Sequence, residues 1–236
     1  MKALRALPWI AALVAVAIAA SGYGARFGAW DYRVGFSILR YATYAGLAVA
    51  AIALVALCIP RTRARNGTVL AVALVVAAAA SALPMYWLQQ ARTLPPINDI
   101  TTDPDDPPEF VAIAPLRADA PVSAAYGGKA TADAQRAGYP DIAPIDLSRP
   151  PAAAFDDALA VARAMGWTIV ASDARTGRIE ATATTAWFGF RDDVVIRVTP
   201  RSGGSRVDIR SHSRVGRGDL GANARRIRDF SARLRA

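Results

Sequence analysis

The stretch Trp187–Arg226, WFGFRDDVVIRVTPRSGGSRVDIRSHSRVGRGDLGANARR, decides how the C-terminal part of this 236-residue chain folds. Within it Val194, Ile196 and Val198 alternate with Val195, Arg197 and Thr199, and Val207 and Ile209 alternate with Arg206, Asp208 and Arg210. A period of two marks strands. The turn Pro200–Ser205 between them is short enough for a hairpin. Pairing Val198 with Val207 and Ile196 with Ile209 keeps the apolar faces together and sets Arg197 opposite Asp208. A two-residue slip sets Arg197 opposite Arg206, where like charges oppose pairing.

Working outward, Trp167–Ala171 and Arg178–Ala186 read as two more strands joined by a turn at Asp173–Gly177. Before them, Pro150 and Pro151 suit a first helical turn, and Phe155, Ala158, Leu159, Ala162 and Met165 recur at helical spacing until Gly166. After the hairpin, Leu220, Ala224, Ile227, Phe230 and Leu234 define a closing helix with Asp219 placed to cap it. Residues 149–236 are therefore expected to form an α+β domain, a four-stranded antiparallel sheet with a helix before and a helix after it. Trp187, Phe188 and Phe190 either dip into the bilayer near the anchoring helices or pack in the core, and the core is favoured because aromatic rings bury large apolar areas.

Upstream, residues 93–110 (TLPPINDITTDPDDPPEF) hold five prolines and read as an extended, solvated acidic connector. Asp103, Asp105, Asp106 and Glu109 do not make a calcium loop, because Pro104 and Pro107 break the run and the turn glycine is missing. Residues 111–148 show little periodicity and read as loops wrapped over the domain. Tyr126–Lys129 (YGGK) lacks the long glycine-spaced turn and the Ser/Thr of a phosphate loop.

Residues 1–92 carry three apolar runs, Leu7–Ala20 (extendable to Ala25), Tyr41–Ile59 and Val69–Leu88, each near the ~20 residues a membrane-crossing helix needs. The first run is also short enough for a signal peptide, with small residues at Ala19, Ala20 and Ser21. Two further runs following directly favour a span. Lys2, Arg5 and the triplet Arg61, Arg63, Arg65 share one side, against Arg26, Arg33, Arg40 and Arg92 on the other. The positive-inside rule then puts the N-terminus inside and the C-terminal domain outside the cytoplasm.

The charge is segregated. Residues 1–96 hold nine Lys/Arg and one Asp, residues 97–148 three against nine, and residues 149–236 sixteen against nine. The overall +9 thus merges membrane-flanking arginines with a separate basic domain and is no nucleic-acid signature. The single cysteine, Cys58, excludes internal disulfides and thiolate clusters.

From Pro95 to Ala236 the sequence resembles the bacterial domain-of-unknown-function family 1499. The resemblance rests on INDITTDP with Pro107 and Pro108 (Ile97–Pro104), YPDIAP (Tyr139–Pro144), MGW (Met165–Trp167), RIEATATT (Arg178–Thr185), FGFRDDVVIRV (Phe188–Val198) and SRVDIRSHSRVGRGDLGANARRI (Ser205–Ile227). It implies architecture and a membrane location, since members often carry spans ahead of the domain. It transfers no catalytic role to any residue.

His212 lies between Ser211 and Ser213, but neighbours on a strand face apart, so neither serine meets the imidazole, which reads as a surface histidine. Asp192 and Asp193 face apart for the same reason and read as anchors rather than an acid/base pair. Arg210, Arg214, Asp219, Asn223 and Arg226 are the ligand-binding candidates, with no catalytic residue, metal site or cofactor assigned. The expected function is binding of a protein or envelope ligand without catalysis, in a protein whose other partner is the lipid bilayer. The alternatives are an enzyme using the Arg/Asp/Asn set of 210–226, and anionic-lipid binding by Arg225, Arg226, Arg228, Arg233 and Arg235.

Overall fold

The computed structural model describes residues 2–236, with side chains from Leu4 onward, so Lys2 contributes only its backbone. The chain forms two compact units, Met1–Arg92 with Ala186–Gly189, and Thr93–Thr185 with Phe190–Ala236.

The first unit is built from α1 (Lys2–Arg26), α2 (Tyr32–Cys58) and α3 (Pro60–Thr93). All three are long and apolar enough to cross a membrane. They meet through small and branched residues, among them Ala11, Val49, Ala53, Leu70, Ala73 and Ala77. Gly46 permits a close approach, because a Cβ there would stand 2.3 Å from Ser81 Oγ. The Arg61, Arg63, Arg65 triplet is not a coil but a helical turn ahead of a break at Asn66 (φ −137°, ψ 17°). Trp187 and Phe188 belong to this unit rather than to the core of the sheet domain. Trp187 Nε1 donates to the Ala19 carbonyl (2.8 Å), and Phe188 packs 4.9 Å from the Phe36 ring. A Trp-Phe pair carries no sequence mark that distinguishes these two destinations.

In the second unit the order is β1 (Asp99–Thr101), a 3₁₀ turn (Ala114–Arg117), α4 (Gly128–Gly138), β2 (Ile145–Leu147), α5 (Pro151–Ala164), β3 (Thr168–Asp173), β4 (Arg178–Thr184), β5 (Arg191–Arg201), β6 (Gly204–Ser213) and α6 (Ala222–Arg235). The sheet has six strands, not four. The order is β1-β6-β5-β4-β3 with β2 also on β6, and every pair is antiparallel. The expected register is present, with Val198 opposite Val207, Ile196 opposite Ile209 and Arg197 opposite Asp208. Of the two added strands, β1 comes from the expected connector and β2 from the expected wrapping loops. Three residues are too few to show a period, and β6 supplies the ladder they need.

One sheet face presents Ile179, Ala181, Val194, Ile196, Val207 and Ile209 to α5 and α6, and Phe155, Ala158, Ile227, Phe230 and Leu234 close this core. Trp167 stacks on Phe230 at 5.7 Å between ring centroids. Gly166 ends α5 at φ +74°, a conformation in which only glycine is unstrained. The opposite face carries Glu180, Thr182, Asp193, Asp208, Arg210 and His212, all buried. Residues 102–127, a strap between β1 and α4, cover it, with Phe110 and Ile113 on Val195.

Candidate functional site

The five candidate residues divide between the two faces of the sheet. On the helix side, Asn223 lies in the first turn of α6 and is fully buried. Its Oδ1 accepts from Ser211 Oγ (2.6 Å), and its Nδ2 donates to Ser213 Oγ and to the Asn98 carbonyl (both 2.9 Å). Arg226, one turn further, donates to Ser211 Oγ (2.8 Å) and to Asp192 Oδ2 (2.6 Å). Asp219 accepts from the amides of Gly221 (2.8 Å) and Asn223 (2.6 Å). The N-cap of α6 is Gly221 and not Asp219 as expected, since the helix starts at Ala222; Asp219, two residues before the cap, reaches forward to these amides at the helix entry. Burial holds the Asp219 carboxyl above the usual range, against the pull of those two amides.

On the strap side, Arg210 donates to both oxygens of Asp99 (Nε and Nη2, each 2.8 Å) and to the carbonyls of Pro108 (3.2 Å) and Ala124 (2.9 Å). The Phe110 ring lies 4.9 Å from its guanidinium. Arg214 grips both oxygens of Asp193 (2.9 and 2.8 Å), whose other neighbours are Thr182 Oγ1 (2.8 Å) and Arg117 (3.5 Å). Asp192 and Asp193 thus serve opposite faces, as strand alternation requires.

His212 is buried and not a surface residue. Its Nδ1 lies 3.5 Å from Asp99 and 3.4 Å from Arg210. Burial, with the charges of Arg117 and Arg210, pushes its pKa down to about 2, so it is neutral. Burial likewise raises the Asp99 carboxyl against the pull of Arg210, and lowers Arg117.

Several residues essential to this arrangement were not among the sequence candidates. Glu180, on β4, accepts from three successive strap amides, Val111 (2.8 Å), Ala112 (3.0 Å) and Ile113 (2.8 Å). Arg117, in the 3₁₀ turn, donates to the carbonyls of Val122 and Ser213 (3.0 Å each) beside Asp193. Gln135 of α4 pairs with both main-chain groups of Thr101, its Oε1 accepting the amide (3.0 Å) and its Nε2 donating to the carbonyl (2.6 Å). Asp103 is no solvated linker charge, because Arg206 and Arg197 reach it. A charged residue at Glu180, set among Ile179, Ala181, Thr182, Ala183 and Thr184 of β4, was the one available signal.

None of the five candidates lines a described groove. The largest of these, of about 460 Å³, runs past Pro104, Asp105, Tyr126, Lys129 and Arg136. A second, of about 440 Å³, is bordered by Asp103, Arg136, Tyr139 and Arg206. Among the described residues no group of His, Cys, Asp or Glu is arranged to hold a metal ion. What the arrangement does chemically is to neutralise charge internally, pairing each buried carboxylate with a guanidinium or with amides.

No curated protein matches the chain. The model of the family described as "Protein of unknown function (DUF1499)" matches residues 99–234, more than half of the chain and nearly all of the sheet domain, and the chain belongs to that family.

Proposed function

We propose that this chain is an integral protein of a bacterial cytoplasmic membrane. Its N-terminus is inside and its sheet domain outside the cytoplasm, where it binds a protein or envelope ligand without catalysis. The observation that carries the binding reading is that each candidate acid, base or cation is already engaged inside the domain. Asp192 is held by Arg226, Asp193 by Arg214 and Arg117, Asp99 by Arg210, and His212 is neutral beneath the strap. Catalytic groups need access to a substrate, and the carboxylates and the imidazole of this set are buried.

The orientation is supported by the Arg61, Arg63, Arg65 triplet between the second and third spans. Alkaline phosphatase fused after Arg92 is expected to be active, and a fluorescent protein fused there dim; the opposite pattern reverses the topology. For the binding reading, the full chain is purified in mild detergent and its co-purifying molecules are identified by mass spectrometry. A stoichiometric companion that is returned unchanged is the expected result. Turnover of any envelope compound that is lost in His212→Ala or Arg210→Ala would replace this reading with an enzymatic one.

A further inference from the structure

The strap holds the sheet in an unusual way. Beyond Thr102, whose amide donates to the Ile209 carbonyl, no main-chain to main-chain hydrogen bond joins residues 103–127 to the sheet among the described residues. Sheet side chains instead grip the strap's own main chain. Glu180 takes the amides of Val111, Ala112 and Ile113, Arg210 takes the carbonyls of Pro108 and Ala124, and Arg197 takes the carbonyl of Asp106 (2.8 Å). Carboxylate to amide and guanidinium to carbonyl are charge-assisted bonds, and they read the peptide backbone rather than a particular side chain.

We propose that residues 102–127 form a lid, and that the charged face beneath it binds an extended polypeptide segment of a partner protein, a place the chain's own strap occupies in this structure. Lifting the strap leaves all six strands paired, because their ladders do not pass through it. It uncovers charged groups and little apolar surface. The strap's buried apolar residues are Phe110 and Ile113, on Val195, and Pro108, with Ala114 and Ala124 partly buried beside them, while Val111 and Leu116 on the strap are already exposed. The strap ends in a pair of residues suited to a hinge, Gly127–Gly128, where Gly128 has φ +66°.

Opening also defines the partner. Arg117 leaves with the lid, so Asp193 keeps Arg214 but loses its second guanidinium, and Arg210 loses the aromatic ring of Phe110. The fitting segment therefore presents free amides to Glu180, an aromatic side chain to Arg210 and a cation to Asp193. The identity of the bound class rests on the partner-binding reading above, whereas the opening of the lid does not.

Two measurements on the full chain in detergent test this. By native-state hydrogen exchange, the amides of Val111, Ala112 and Ile113 are expected to exchange on the order of 100-fold faster than those of Ile179 and Ile196, which face each other in the β4–β5 ladder. Exchange of the strap only together with those core strands overturns the lid. A labelled synthetic peptide of residues 102–127 is then added in trans. Saturable binding is expected, weakened roughly tenfold or more when the peptide is N-methylated at 111, 112 and 113, which removes the hydrogens Glu180 accepts. No binding, or equal binding of the methylated peptide, overturns the binding face. Either failure leaves the partner-binding reading standing on its mass-spectrometric test.

Discussion

The two faces of one sheet are held by different chemistry. Against α5 and α6 the contacts are Ile, Val, Ala, Leu and Phe, with a polar corner at Asn223 and Arg226. Against the strap the contacts are carboxylates and guanidiniums, with one small apolar cluster. Apolar burial contributes about 25 cal/mol per Å² and grows with area, whereas a buried ion pair gains little net stability over an apolar substitute. The comparison assigns the fold's stability to the helix face and a specific, separable closure to the strap face.

That division can be broken at its strongest point first. Phe230→Ala, which empties the centre of the helix face, is expected to destabilise the sheet domain by about 3–5 kcal/mol. The loss should appear in full in the exchange of core-strand amides, and in strap amides only once global unfolding becomes easier than opening of the strap; a loss confined to the strap would reverse the assignment of the faces.

The next effect is a pH dependence. His212 is neutral in the folded domain at a pKa of about 2 and protonates near 6.5 when unfolded. Between those values the unfolded chain binds more protons, so the stability this group contributes is complete above pH 6.5 and is lost as pH falls. At pH 5 the loss is about 2 kcal/mol relative to a His212→Asn variant, which has no such titration. Asp99 and Asp219, raised by burial, work in the opposite sense in the carboxylate range, because the folded state binds their protons first. Parallel pH profiles for parent and variant would show that His212 is solvated.

Smaller still is Glu180→Gln, which keeps the shape but removes the charge from three amide contacts. A cost of about 1.5 kcal/mol is expected, seen as faster exchange at 111–113 with core strands unchanged. Arg228→Ala, which removes an exposed ion pair with Asp141, should change the melting temperature little, by less than about 1 kcal/mol in stability. A larger effect there would mean that surface charge, not the two faces, governs the domain.

How much of this was legible follows from the range of the interactions. The spans, the four long strands, both long helices and the Arg197–Asp208 register rest on local periodicity, and the sequence displays them. The alternation Asp208, Arg210, His212 on β6 was visible as well, but its meaning depends on what covers it. Arg210 meets Asp99 across 111 positions, and Glu180 meets Val111 across 69. No local pattern encodes such pairs, so His212 read as exposed and Asp103 as linker. α4 was hidden because GKATADAQRAG has no apolar stripe; it is held by Gln135 on the backbone of Thr101, by the buried Ala132 and by the pair of Arg136 with Asp105. The five candidate residues were a true concentration of polar groups, yet neighbours on a strand point apart, and the set splits into two networks.

That split is tested most directly by double-mutant cycles across and within the faces. Stability is measured by native-state exchange of Ile179 and Ile196 in the full chain. Arg226 and Asp192 share a bond, so their cycle should show coupling of about 1 kcal/mol or more, whereas Arg226 and Arg210 lie on opposite faces and should add within about 0.5 kcal/mol. Coupling of 1 kcal/mol or more between Arg210 and Arg226 would mean that the polar cluster acts as one site, and would contradict the two-faced account.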